Sequence, residues 1–283
     1  MSEQKARFDN LNDWLSWQEG LHFTSIELGL DRCKAVARKL DLLTPNFKVI
    51  SVAGTNGKGS SVTMLNNILS TAGYKTGSYM SPHLVRYNER IQVGSVEVDD
   101  RTLCDSFTRI DQARGKISLT FFEFGTLAAI DIFKNQQIDI AIMEVGLGGR
   151  LDAVNILDAD VALVTSIALD HEFWLGKNRE SIAREKAGIF RKHRPAVCSD
   201  PKPPHTLIDY AEELGAELTI LDRDFSYEQE DDVWHWKNHT KHYHNLPRPC
   251  IYNRYQTANA SGVIMVLECL PENFIVDEAA INE

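Results

Sequence analysis

Residues 48–80 constrain this chain more than any other stretch. A run of β-forming residues, KVISVA (48–53), meets a glycine-rich turn, GTNGKG (54–59). The turn leads into a segment with Val62, Met64, Leu65, Ile68 and Leu69 at helical spacing, and a second strand is expected over 75–80. Strand, turn, helix and strand in that order form a βαβ unit, whose parallel strands are joined by a right-handed crossover. A core that starts this way is committed to a parallel sheet covered by helices.

The alternation continues along the chain. Residues 121–134 read as helix, 138–145 and 161–167 as strands, and 179–190 as a helix opening near Asn178. Strands at 196–198 and 218–221 flank a helix at 204–214. We expect an α/β fold with a doubly wound, mostly parallel sheet, its ligands bound beyond the carboxyl ends of the strands. Two stretches break the pattern: residues 90–98 read as a hairpin, and 225–243, polar and bearing His and Trp, as a meander or inserted flap. A last helix is expected over 255–269, ending before Pro271, with a short helical tail from Val276.

The glycine turn departs from the generic phosphate loop G-x-x-x-x-G-K-[ST] at both ends, because Val52 stands where the first glycine belongs and Gly59 where the hydroxyl belongs. The physics survives. Gly54, Gly57 and Gly59 allow the backbone to turn its N–H groups onto an anion, and the following helix points its N-terminus the same way. Lys58 adds a mobile positive charge, and Ser60 or Ser61 a hydroxyl. An ordinary glycine turn with an exposed lysine is the competing reading; strand, lysine, hydroxyls and helix in sequence favour the phosphate. Glu144 closes an apolar strand, IAIMEVG, where a carboxylate emerges at the sheet edge as a hard oxygen ligand or as a solvated strand-end charge.

Charge and composition narrow the partners. With 30 basic against 40 acidic residues the formal net charge is -10, which repels nucleic acid. The apolar runs are too short to cross a bilayer and the first ten residues carry no signal core, so we expect no membrane partner and a cytoplasmic location. Cys33, Cys104, Cys198, Cys250 and Cys269 are scattered without a C-x-x-C pair, as in a reduced protein.

The stretch GTNGKGS resembles the phosphate loop of the ATP-dependent Mur ligase and folylpolyglutamate synthase superfamily, which sets its hydroxyl two residues after the lysine. SPHLVRYNERI (81–91), LTFFEFGTLAA (119–129), EVGLGGRLDAVN (144–155), SIALDHEFWLG (166–176) and ESIAREKAGIFR (180–191) extend the likeness. From about Trp14 to the last residues the chain is similar to the bacterial bifunctional dihydrofolate synthase/folylpolyglutamate synthase family.

That resemblance implies a Mur-ligase central-domain fold and a set of roles. ATP is the co-substrate, held by Thr55, Asn56, Gly57, Lys58, Gly59 and Ser60, with Asn259 of YQTANA at the adenine. Of two Mg²⁺ ions, Ser81 and Glu144 bind one and His171 the other. Lys186 matches a lysine that is carbamylated in the family and helps hold the second ion. Lys58, His171 and Lys186 form the implied catalytic set. Ile26, Glu27 and Leu28, together with Thr120, Phe121, Phe122 and Glu123 and with Leu151, Asp152 and Ala153, line the implied dihydropteroate site. By residue chemistry alone, Phe121 and Phe122 sandwich a flat heterocycle or belong to a helix core. Arg86, Arg90 and Arg150 contact a carboxylate or phosphate, or make surface salt bridges.

The implied reaction moves the γ-phosphoryl of ATP onto a carboxylate, and the amine of L-glutamate attacks the acyl phosphate. Its partners are dihydropteroate, reduced folates, L-glutamate and ATP, and a monomer is the expected state. Residues 1–270 are expected to form the ATP-binding domain, and 271–283 a linker or the start of a C-terminal glutamate-ligase domain without which ligation is in doubt. A non-catalytic nucleotide- or folate-binding remnant is the alternative. A generic P-loop kinase or GTPase is a weaker third reading, since no guanine-reading Asn-Lys-x-Asp occurs.

Overall fold

The computed structural model describes residues 6–250 and 254–283. Part of the N-terminal stretch and the lead-in to YQTANA lie outside the described residues. Helices α1 (Leu11–Glu19) and α2 (Asp31–Lys39) precede strand β1 (Lys48–Ala53), helix α3 (Lys58–Thr71) and strand β2 (Thr76–Tyr79). The hairpin follows as β3 (Ile91–Val93) and β4 (Val96–Glu97), then α4 (Asp100–Arg114), α5 (Phe121–Gln136), β5 (Ile140–Glu144) and β6 (Val161–Val164). A one-turn α6 (Glu172–Leu175) leads to α7 (Arg179–Ala187), β7 (Pro195–Cys198), α8 (His205–Leu214) and β8 (Glu217–Ile220). Strands β9 (Phe225–Gln229), β10 (Val233–Asn238) and β11 (His242–Pro247) come next, and α9 (Arg254–Glu268) and α10 (Glu278–Asn282) end the chain.

Eight strands form one sheet in the order β4-β3-β2-β5-β1-β6-β7-β8, parallel except at the β2-β3-β4 edge. The crossover from β1 through α3 to β2 skips one position, which β5 fills: Val52 lies beside Glu144 on one flank and Leu163 on the other. The carboxyl ends of β2, β5, β1 and β6 therefore line up at one edge, and the segments that follow them share that edge.

Strand periodicity splits the core in two. Val49, Ala141, Met143, Ala162, Val164 and Cys198 face a cluster built with α1, α2, α4, α5, α7 and α8. Ile50, Val52, Ile140, Ile142, Val161, Leu163 and Val197 face α3, α9 and the small sheet. Two-sided burial explains why these strands read as continuous apolar runs.

The expected meander at 225–243 is the three-stranded antiparallel sheet β9-β10-β11. It buries Trp234, Trp236, Tyr243 and Leu246 on one face, and the Trp236 indole donates to Ser261 O of α9 at 3.2 Å. Beyond Pro271, Tyr74 packs its ring on Phe274 at 4.8 Å, its hydroxyl accepts the Ile275 amide, and α10 rests against α3 and β11. Among the described residues no helix is long and apolar enough to cross a membrane. Replacing fully buried Trp236 removes both its packing and its bond to α9, so Trp236→Ala lowers unfolding stability by about 3–5 kcal/mol. Urea titration measures this, and a loss below about 1 kcal/mol would show that the small sheet does not anchor α9.

Candidate active site

The glycine loop is built by close approaches that a side chain would block. Gly54 lies at φ 152°, and a Cβ there would sit 1.7 Å from Thr165 Oγ1. Gly57 lies at φ 93°, and a Cβ there would fall 2.4 Å from Asn259 Oδ1. Gly57 is the N-cap of α3 and no side chain caps that helix, so its first amides remain available to an anion. The loop is tied to the chain after β6. Thr55 N–H donates to Ser166 O (2.7 Å), the Thr165 hydroxyl to Asn56 O (2.8 Å), and Ala168 N–H to Thr55 Oγ1 (3.0 Å). Arg179, bound to Ile167 O and paired with Asp200 at 2.9 Å, fixes that second segment from behind.

A cleft of about 610 Å³ opens above the loop, lined by residues 55–60, Ser81, Glu89, Gln92 and Glu144 among others. Glu144 is 5% exposed, accepts the Ser81 N–H at 3.3 Å, and lies 3.8 Å from a Cβ placed on Gly59. Burial raises its pKa, an effect opposed by Lys58, the Ser81 amide and Arg90. Such a carboxylate gains from a hard cation, and the oxygens of Glu144 and Ser81 fit Mg²⁺, which takes one or two carboxylates beside phosphate and water. Ser60 lines the cleft, whereas Ser61 is fully buried with no partner for its hydroxyl. The open choice between the two serines therefore falls on Ser60.

Two ammonium groups meet at one carbonyl. Lys58 Nζ donates to Gly54 O (3.1 Å) and Thr55 O (3.3 Å), and Lys186 Nζ donates to Gly54 O at 2.8 Å. Lys186 is 3% exposed; burial and then Lys58 depress its pKa to about 8, against Asp170 and Asp152, which raise it. His171 stands apart from the cleft lining with φ 46°, a side chain 53% exposed, and Nε2 3.7 Å from Asp170 Oδ2. Among the described residues no three His, Cys, Asp or Glu side chains gather around one point as a metal site.

Next to Lys186 lies the segment after β5. Asp152 is 3% exposed, and its carboxylate accepts the Leu147 and Val154 amides at 2.8 and 2.9 Å. Burial outweighs those bonds and lifts its pKa to about 7. Leu151 O accepts the Gly29 amide at 3.2 Å, which brings the 26–28 loop to residues 151–153. Arg32 pairs with Glu27 and reaches Glu123 at 3.1 Å. His22 bridges Glu27 (2.7 Å) and Ser118 (2.5 Å). Thr120 and Glu123 form a capping box on α5, with Glu123 N–H to Thr120 Oγ1 at 3.2 Å and Thr120 N–H to Glu123 Oε2 at 2.8 Å. Phe122 packs on Tyr79 and Gly146, and Phe121 on Tyr87; both rings are partly buried. Ile26 is 38% exposed.

The three arginines separate. Arg150 pairs with Glu185 at 2.9 Å, and Arg86 lies 4.0 Å from Glu97. Arg90 binds His83 Nδ1 at 2.7 Å and lies over the rings of Tyr87 and Phe121, with no carboxylate within 4.0 Å among the described residues. Arg32, His22 and Gln256 are missing from the sequence reading; Gln256 donates to Ser60 Oγ at 3.0 Å. TxxE at 120–123 signals the cap, and a cap can be read from spacing. The partners of Arg32 and His22 lie about ninety residues away and leave no local pattern.

Asp152 gives the site a pH signature. Its folded pKa of about 7 exceeds the ordinary value of 3.8, so its contribution to stability is present at low pH and is lost as pH rises from about 4 through 7. Measured against Asp152→Asn, the wild type loses ground over that window and levels off above it. Unfolding free energies with a pH-independent gap would contradict the buried-carboxylate geometry.

Comparison with known proteins agrees with this architecture. The Mur ligase middle domain model matches residues 52–247. A dihydrofolate synthase/folylpolyglutamate synthase of Escherichia coli is 52% identical over 241 residues, covering 85% of this chain and 57% of that protein. The chain thus spans somewhat over half of that relative's length. The structure of Escherichia coli FolC in complex with DHPP and ADP superposes with a TM-score of 0.93 at 47% identity, over 99% of this chain and 66% of that one. A bifunctional folylpolyglutamate synthase/dihydrofolate synthase with Mn, AMPPNP and L-glutamate bound gives 0.89 at 46%, over 99% and 66%. With its phosphate loop, sheet order and strand-end carboxylate in place across the matched residues, this chain belongs to the Mur ligase family through its middle domain.

Proposed function

We propose that this chain is the nucleotide-binding part of an ATP-dependent ligase that joins L-glutamate to dihydropteroate and to reduced folates. The observation that carries the reading is the cleft itself: an uncapped helix start, Lys58 and a buried strand-end carboxylate all face one space. A triphosphate laid along the loop receives the amides of α3, and Lys58 exchanges the carbonyls of Gly54 and Thr55 for phosphate oxygens. The relatives' names, and the DHPP, ADP, AMPPNP and L-glutamate in the neighbouring structures, support the substrate assignment.

The chemistry suited to the cleft is carboxylate activation. A carboxylate oxygen of the folate precursor attacks the γ-phosphorus of ATP in line and ADP leaves. The glutamate amine then displaces phosphate from the acyl phosphate and gives up a proton, forming the amide. Positioning and charge neutralisation do most of this work. A magnesium ion held by Ser81 and Glu144 would supply the neutralising charge. The finer reading adds a second ion, given to His171 and a carbamylated Lys186. As an ammonium Lys186 is no ligand, but a pKa near 8 leaves a share of free amine at neutral pH to take up CO₂.

For the substrate, Asp152 and the Arg32-linked pair of Glu27 and Glu123 offer carboxylates to a pterin's N–H groups, with Phe121 and Phe122 beside them. Asn259 lies on Gly57 at the loop, where we place the nucleotide.

The test is release of ADP and phosphate that requires both dihydropteroate and L-glutamate, measured with this chain and with its C-terminal extension where one exists. Glu144→Gln, which removes the charge and keeps the shape, is expected to lower that turnover by about 10²–10³-fold. Unchanged turnover in Glu144→Gln would remove the carboxylate from the mechanism. Tight Mg·ATP binding without turnover in either form would favour a binding remnant.

A further inference from the structure

We propose that Gln256 is a positioning residue of the phosphate loop, one that aims the Ser60 hydroxyl at a phosphate oxygen of the bound nucleotide. The inference rests on the nucleotide reading above and goes beyond it by assigning how one hydroxyl is used.

Helix α9 presents Gln256 and Asn259, one turn apart, to the start of α3. The Gln256 Nε2 group donates to Ser60 Oγ at 3.0 Å, and its Oε1 accepts from Asn259 Nδ2 at 3.2 Å. Asn259 is 7% exposed, and its amide lies so close over Gly57 that no side chain fits there. One amide thus joins the residue that forces glycine at the N-cap to the hydroxyl two residues after Lys58.

The direction of these bonds decides the chemistry. A serine hydroxyl has one proton and two lone pairs. With one lone pair filled by the Gln256 N–H, the Ser60 proton turns away from α9 and into the cleft that Ser60 lines. There it donates to an acceptor, and the acceptor that matches the neighbouring amides and Lys58 is a phosphate oxygen. Metal binding then falls to Ser81 and Glu144 on the opposite wall.

The lever is rigid. Thr257, between the two amides, is 2% exposed and accepts from Gln229 of β9 at 2.5 Å, while Trp236 of β10 holds Ser261 O one turn further on. The small antiparallel sheet, which contributes no residue to the cleft, thereby sets where Gln256 stands.

Calorimetric titration of the chain with Mg·ATP tests the proposal, with Gln256→Met, Ser60→Ala and the double variant, each checked by its melting temperature without nucleotide. A neutral hydrogen bond lost from a bound state corresponds to about five- to tenfold in affinity. Gln256→Met is expected to bind Mg·ATP about that much more weakly, with an unchanged melting temperature. The double variant is expected to bind no more weakly than Ser60→Ala alone, because Gln256 acts through Ser60. Gln256→Asn, which keeps the amide but is one methylene too short, should reproduce the loss if Gln256→Met does not fold. Wild-type affinity in the glutamine variants, or losses that multiply in the double variant, would overturn the role of Gln256. Failure of the unsubstituted chain to bind Mg·ATP would instead overturn the nucleotide reading, and this proposal with it.

Discussion

The structure turns on the backbone at Gly54. Its carbonyl accepts from two lysines 128 positions apart in sequence, Lys58 and Lys186, while its Cα stands against Thr165 with no room for a methyl group. Holding two cations on one oxygen is costly unless something anionic draws one away, and the uncapped amides of α3 call for the same thing. Negative charge is supplied on the protein side by Glu144, buried with a raised pKa, and by Asp152 beyond Lys186. A phosphate chain entering this cleft relieves the lysines and the amides together, and a hard cation relieves Glu144. The site is strained electrostatically in a way that Mg·ATP satisfies.

The fold delivers these groups by topology. Because β5 enters between β1 and β2, the strand ending in Glu144 runs beside the strand ending in the loop, and Ser81 follows β2 on its other flank. Two-faced burial keeps the edge rigid: helices pack on both sides of the central strands, so the loop rests on a close-packed core. The small sheet extends the same logic to α9, which closes the loop from the far side.

Much of this was legible in the residues, and the reasons are physical. The 48–53 strand, the strands that follow and the helix opening at Asn178 announced themselves through apolar runs and caps, and the Asn178 side chain does accept the Ser181 amide at 2.8 Å. Helices α1, α2 and α4 went unread although Asn10 and Asp99 cap two of them, since their apolar faces are short and interrupted by charges. The insertion of β5 between β1 and β2 also has no local signal, because strand order depends on non-local pairing. At the site, the phosphate loop and Glu144 were readable from position at strand ends. The capping role of Thr120 and Glu123, the convergence of Lys58 and Lys186 and the Gln256–Ser60 contact were not. Each needs the third dimension to bring together residues that are dozens of positions apart, or competes with a plausible functional meaning for the same letters.

The central claim concerns where a triphosphate and its metal lie, and a structure of this chain with Mg²⁺ and a non-hydrolysable ATP analogue tests it most directly. The account predicts phosphate oxygens within hydrogen-bond distance of the amides of residues 57–59, Lys58 swung off Gly54 O, and a metal ion bound to oxygens of Glu144 and Ser81. An analogue seated elsewhere, or seated on the loop with Glu144 facing no ion, would contradict it.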